Sequence, residues 1–223
     1  LTAIMSSLNK NIDSFTVVRS LKEFLPENEA LAQYGILGGK VDMLTSLPLS
    51  INVAFATALV PAISAAKARK DKKTIVQKSS FSLMTSMLIA LPCTVGMFIF
   101  AGPILRLLFP NASNGTVILQ ISALTIIFTV LDQTINAILQ GYGKLRVPAM
   151  ALVVGVIAKL ILNLVLVPNP AFGVNGAAWA SVACHVIAFS ISIAALRKVI
   201  KLNLTFKKFV IKPILAVAIM GIC

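Results

Sequence analysis

Asp13, Lys40, Asp132 and Lys159 carry charge inside apolar runs. A charged side chain at mid-membrane costs about 2.5–3.5 kcal/mol on insertion scales, so each must face protein, water or an opposite charge. The chemistry open to them is ion pairing, proton or cation exchange, or the holding of an anion. Lys159, flanked by VVGVIA and LIL, is followed one turn later by Asn163, and its available partners are Asp13 and Asp132. Asp13 shares a helical face with Asn9, Thr16 and Ser20. Asp132 belongs to a stripe with Thr125, Thr129, Asn136 and Gln140, in which Asp132, Asn136 and Gln140 follow i, i+4, i+8 spacing. As glue between helices such a stripe needs no ligand.

Catalysis has no support among these residues. The chain has no nucleophile elbow, phosphate-binding loop, metal-ligand spacing or pair of catalytic acids, and the reading is of a protein that is not an enzyme, without metal or cofactor. His185, the single histidine, reads as a packed helix residue, and Trp179 as an interfacial anchor. Cys93, Cys184 and Cys223 are odd in number, lie in apolar stretches and read as small buried hydrophobes.

The elements that must position these residues are membrane helices. The 223-residue chain is 58% hydrophobic and 12% charged, with a mean hydropathy of +0.94, too apolar for a soluble domain. A formal net charge of +13 would suggest nucleic acid in a soluble protein, but here the bases collect in short loops and no nucleic-acid partner is expected. The apolar pattern predicts an all-α bundle in a single transmembrane domain over 1–223. Its six complete spans fall at about 3–24, 35–66, 79–108, 116–140, 148–167 and 175–196, and a seventh begins at 213–223.

Bases crowd 67–78, 141–147 and 197–212, whereas 25–33, 109–115 and 168–173 read as loops that are acidic or neutral. The alternation predicts that the three basic loops are cytoplasmic and that the first span enters from that side. Pro48 and Pro61 inside the second span predict a bent helix packed against others, and FKKFVIK at 206–212 is a candidate interfacial segment. Both ends have the look of cuts, so the chain is expected to be a fragment.

Three stretches on this topology are specific enough to suggest a family. They are LPLSINVAFATALVPAIS (47–64) before a basic loop, ILQGYGKLRVP (138–148) and GVNGAAWAS (173–181), with IDSFTVVR (12–19) as a fourth. Together they resemble the MOP superfamily of flippases and exporters. Within it the chain looks like the polysaccharide-exporter and stage V sporulation protein B branch, related to the lipid II flippases. The resemblance implies about fourteen helices in two pseudo-symmetric bundles, of which this chain is most of the second, with the N-terminal half of the same protein and membrane lipid as partners. It implies a multi-pass protein of the bacterial cell membrane. Such a protein would turn an undecaprenyl-pyrophosphate-linked peptidoglycan precursor or polysaccharide repeat unit from the inner to the outer leaflet by alternating access.

A diphosphate in a low-dielectric cavity needs cations near its wall, and on this resemblance the candidates are Lys40, Lys159 and, near the outer end, Arg19. Relatives place a cavity arginine nearer Met43 than Lys40. Some relatives bind sodium through an aspartate on the first helix of this half, matched by Asp13, and polar residues of a later helix, about where Lys159 and Asn163 fall. On that reading Lys159 puts a fixed charge where relatives put the ion. Two rivals remain: a drug or metabolite antiporter of the related MATE type, for which a central lysine is unwelcome, and a non-transporting membrane scaffold for glycan assembly.

Overall fold

The computed structural model describes residues 13–23, 25–110, 113–169 and 172–200. Residues 13–21 are helical (α1). They are followed by α2 (Glu27–Gly35), a π-helical segment (Ile36–Val41), α3 (Asp42–Ala68), α4 (Lys72–Ile99), α5 (Ala101–Leu108), α6 (Thr116–Gly141), α7 (Arg146–Leu166) and α8 (Gly173–Val199). Five helical stretches are long and apolar enough to cross a membrane: Glu27–Ala68, Lys72–Ile99, Thr116–Gly141, Arg146–Leu166 and Gly173–Val199. The start of the expected first span, the segment 206–212, Cys223 and the expected seventh span lie outside the described residues.

Two expected loops are helical. Residues 27–33 form α2, because Pro26 sets the entry at φ −56°, Glu27 and Glu29 face the positive end of the helix dipole, and Ala30, Leu31 and Ala32 are good helix formers. The basic stretch 67–78 is helix for most of its length, since α3 runs to Ala68 and α4 begins at Lys72. Asp71 caps α4, its carboxylate accepting from Thr74 N (3.0 Å) and Thr74 Oγ1 (2.5 Å). These bonds hold the Asp71 carboxyl below its usual range, the Thr74 side chain contributing most.

The centre of the bundle is α6. In its apolar window 61% of residues are buried inside the protein, against 22–28% in the other four spans. The others therefore each bury one stripe and turn the remainder outward. On α7 the buried positions are Pro148, Ala151, Gly155, Lys159 and Asn163, a 3.6-period line, while Ile157, Ile161 and Val165 are exposed. Without a hydrophobic force between helices in lipid, close approach depends on small residues. A Cβ at Gly141 of α6 would stand 2.8 Å from both Val60 O and Ile63 Cβ of α3, and one at Gly155 of α7 would stand 3.1 Å from Cys184 O of α8.

Both basic ends of α3 and α6 stop in a Schellman turn. After α6, Lys144 N donates to Leu139 O and Gly143 N to Gln140 O (2.8 Å each), with Gly143 at φ 83°. After α3, Asp71 N donates to Ala66 O (3.0 Å) and Lys70 N to Lys67 O (2.9 Å), and the left-handed position is taken by Lys70 at φ 56°. Lys67 Nζ ties the two ends together, donating to Tyr142 O (2.6 Å) and lying 4.8 Å from the Tyr142 ring centroid.

Candidate functional site

The stripe of α7 that faces the bundle begins with small residues and ends with Lys159 and Asn163, so helical phase alone aims both inward. There Lys159 Nζ pairs with Asp13 Oδ2 of α1, with side-chain exposures of 3% and 18%. Asn163 Nδ2 lies 3.2 Å from the other carboxylate oxygen of Asp13 and 3.3 Å from Thr16 Oγ1. One carboxylate thus receives the ammonium on one oxygen and an amide on the other, which is the pairing a buried charge requires. The Oδ1 atom of Asn163 is buried without a hydrogen-bond partner.

Asp132 goes elsewhere. Its Oδ2 accepts from Asn136 Nδ2 (2.8 Å), and Asn136 Oδ1 in turn accepts from Ser192 Oγ of α8 (3.2 Å), so this stripe joins α6 to α8. Oδ1 of Asp132 is buried and has no hydrogen-bond partner. Of the two partners the sequence left open for Lys159, the structure places Asp13 on the ammonium. Thr125 and Thr129, from the same stripe, donate instead to carbonyls of their own helix, Ser122 O and Thr125 O. Asp13, Lys159 and Asn163 thus form the charged region, while Asp132 with Asn136 and Ser192 makes a separate polar stripe between α6 and α8.

The other candidate cations are Lys40 and Arg19. Lys40 sits in the π-helical segment, with Nζ 5.5 Å from the ring centroid of Phe109 just beyond α5. The turn entering α6 closes over this segment: a Cβ at Gly115, which has φ +109°, would stand 2.4 Å from Ile36 Cγ2. Arg19 is exposed on α1. His185 Nδ1 lies 2.7 Å from Ser181 O, and since a carbonyl only accepts, that nitrogen carries the proton. Trp179 is exposed.

A second polar centre was not anticipated from the sequence. Asn52 of α3 donates through Nδ2 to Val130 O (3.0 Å) and Gln133 Oε1 (3.0 Å) of α6, and its Oδ1 accepts from Ser86 Oγ of α4 (2.8 Å). Ser86 Oγ also lies 2.6 Å from Thr134 Oγ1. Three helices meet at this uncharged hub. Its signal was present as period-3.6 lines of small and polar residues, Thr45, Pro48, Asn52 and Ala56 on α3 and Ser79, Ser86, Ala90 and Thr94 on α4.

The family described as "Lipid II flippase MurJ" matches residues 40–223. Stage V sporulation protein B of Bacillus subtilis (strain 168) is 27% identical over 194 residues, 87% of this chain and 36% of that protein. The lipid II flippase MurJ of the same organism is 29% identical over 148 residues, 63% of this chain and 27% of that protein. The chain therefore spans roughly a third of the length of these curated relatives. Among solved structures, an outward-facing multidrug resistance MATE family transporter of the MOP superfamily matches with a TM-score of 0.74 at 18% identity, over 93% of this chain and 45% of that one. That likeness is one of fold. A membrane bundle organised around α6, with a family match that takes in every span from α3 onward, belongs to the MurJ lipid II flippase family.

Proposed function

We propose that this chain is the second helical bundle of a flippase that moves a lipid-linked saccharide from the inner to the outer leaflet by alternating access, in a bacterial cell membrane and without enzymatic chemistry. On this reading an N-terminal half of the same protein completes the cavity, and the basic segments 67–78, 141–147 and 197–212 face the cytoplasm. The observation that carries the reading beyond family membership is the Lys159–Asp13 pair. An ionic pair held between two helices in mid-membrane is costly as mere structure, because apolar residues of similar volume would pack as well or better.

Lys159 supplies a fixed positive charge on the cavity side of α7, with Asp13 as its counter-ion and Asn163 holding the aspartate in place. When a diphosphate approaches, the ammonium can be shared between the anion and Asp13, which couples substrate to the contact between α1 and α7. Because the cation is covalently tethered, transport does not need sodium at this position and is driven by membrane potential or by an ion gradient. Lys40 and Arg19 serve as outer-end cations that the headgroup meets as it leaves, and Asp132 with Asn136 forms the separate stripe between α6 and α8.

The test uses the full-length protein in proteoliposomes, following a fluorescent undecaprenyl-pyrophosphate saccharide as it leaves one leaflet, with and without sodium. Sodium-independent transfer by the parent and its loss in Lys159→Gln support the reading. A parent that moves no lipid-linked sugar but exchanges an organic cation for protons or sodium would instead be a MATE-type antiporter. A parent that moves neither, and whose glycan phenotype survives Asp13→Asn and Lys159→Gln, would be a scaffold.

A further inference from the structure

Between α3 and α4 the surface opens into a groove of about 150 Å³ lined by Phe55, Leu59, Phe81, Ser82, Thr85 and Ser86 among others. Its rims are large and bare: Phe55 is 56% and Phe81 70% exposed. Of the hydroxyls in its wall, those of Thr85 and Ser86 are already engaged, Thr85 Oγ1 donating to Phe81 O (3.1 Å) and Ser86 Oγ to Asn52 Oδ1 (2.8 Å). What fills such a groove needs to bring mainly hydrocarbon.

The charge at its mouth says what the hydrocarbon is attached to. Lys78, Phe81, Ser82 and Thr85 fall at i, i+3, i+4 and i+7, on one face of α4. Lys78 thus stands over the groove, about 10 Å along the helix from Thr85, well within one leaflet of about 15 Å. Arg69, Lys70, Lys72 and Lys73 are exposed just beyond it. No carboxylate is ion-paired with Arg69, Lys70, Lys72 or Lys78 among the described residues. Asp71, the single acid in the stretch, is occupied in capping α4. Lys70 holds a left-handed backbone position that glycine fills after α6, so a base is kept there at a cost of roughly 1 kcal/mol.

We infer that the α3–α4 groove is a binding site for an anionic phospholipid, its acyl chain lying between Phe55 and Phe81 and its headgroup phosphate held by the bases from Arg69 to Lys78. The site belongs to resident membrane lipid and stands apart from the Lys159 region, so it does not depend on which substrate is transported.

The experiment places the full-length protein in vesicles containing a trace of phosphatidylglycerol or of phosphatidylcholine, each with a diazirine in the acyl chain, and maps adducts by mass spectrometry after illumination. Adducts are expected on 55–59 and 81–86, about tenfold or more in favour of phosphatidylglycerol. Each base near the surface contributes up to about fivefold, so Lys72→Gln/Lys73→Gln/Lys78→Gln, which leaves Arg69 and Lys70 in place, should reduce that preference by about fivefold or more. These side chains are exposed, and the substitutions leave the bundle intact. Equal labelling of the parent by both lipids, a preference unchanged in the triple variant, or a groove left unlabelled because another part of the protein covers it would each overturn the inference.

Discussion

Two polar centres cross the apolar interior and are built in opposite ways. At Asn52, Ser86 and Thr134 the groups are neutral, lie within the packed contact of α3, α4 and α6, and have partners for nearly every donor and acceptor. At Asp13, Lys159 and Asn163 the groups are charged, join α1 to α7, and leave Asn163 Oδ1 buried without a partner. A neutral, satisfied network fixes helices that stay together. A charged pair with spare capacity suits a contact that must be exchanged, since its partner can be replaced by another ion of the right sign. On the proposed function the difference separates glue from working part, and mutations can test that separation.

The largest expected effect comes from breaking the charged pair on one side. Asp13→Leu or Lys159→Met strands a buried charge and should cost about 3–5 kcal/mol, read as a loss of unfolding stability in detergent, whereas Asp13→Leu/Lys159→Met together should recover to within about 1 kcal/mol of the parent. Next comes the close approach of α6 to α3. Gly141→Ala places a methyl 2.8 Å from a backbone carbonyl and from Ile63, and an overpacking cost of about 1–3 kcal/mol is expected by the same measurement.

The neutral hub is weaker glue. Asn52→Ala should cost about 1 kcal/mol, and Asn52→Leu/Ser86→Ala/Thr134→Val, which removes the donors and acceptors together, should be nearly neutral with transport retained. If that triple variant abolished transport in a stable protein, the division into glue and working part would be lost.

Smaller effects test the basic turn. Lys70→Gly relieves a left-handed lysine and should stabilise the protein by up to about 1 kcal/mol, while weakening the preference for phosphatidylglycerol. At Asp71 the folded carboxyl is held below its ordinary range, first by the Thr74 side chain. A depressed value contributes stability above about pH 4, near the unfolded carboxyl's own range, and that contribution fades as pH falls through the folded value. Thr74→Ala should therefore lower thermal stability slightly at neutral pH, and the gap to the parent should close in acid.

Much of the bundle was legible because membrane helices announce themselves by length and hydropathy, and because Asp13 and Lys159 are conspicuous in apolar runs. The pairing was not. Asp13 and Asp132 lie on different helices, and only the three-dimensional placement of α1 beside α7 chooses between them. Asn52 escaped notice because one neutral amide in a long apolar span carries no charge signal, and its role depends on Ser86 and Thr134 arriving from two other helices. The helix at 27–35 was hidden behind its acids, which suit an outer loop and a helix N-terminus equally well. The helical start of α4 was masked in the same way by lysines, which are good helix formers as well as topology signals.

On the proposed function the Asp13–Lys159 pair serves transport and not folding. Its most direct test is the rate at which the full-length Asp13→Leu/Lys159→Met protein moves a fluorescent undecaprenyl-pyrophosphate saccharide across proteoliposome membranes, once its unfolding stability has been matched to the parent. A stable protein whose transfer falls to the protein-free background is expected. Transfer at the parental rate would contradict this expectation and return the pair to the role of structural glue.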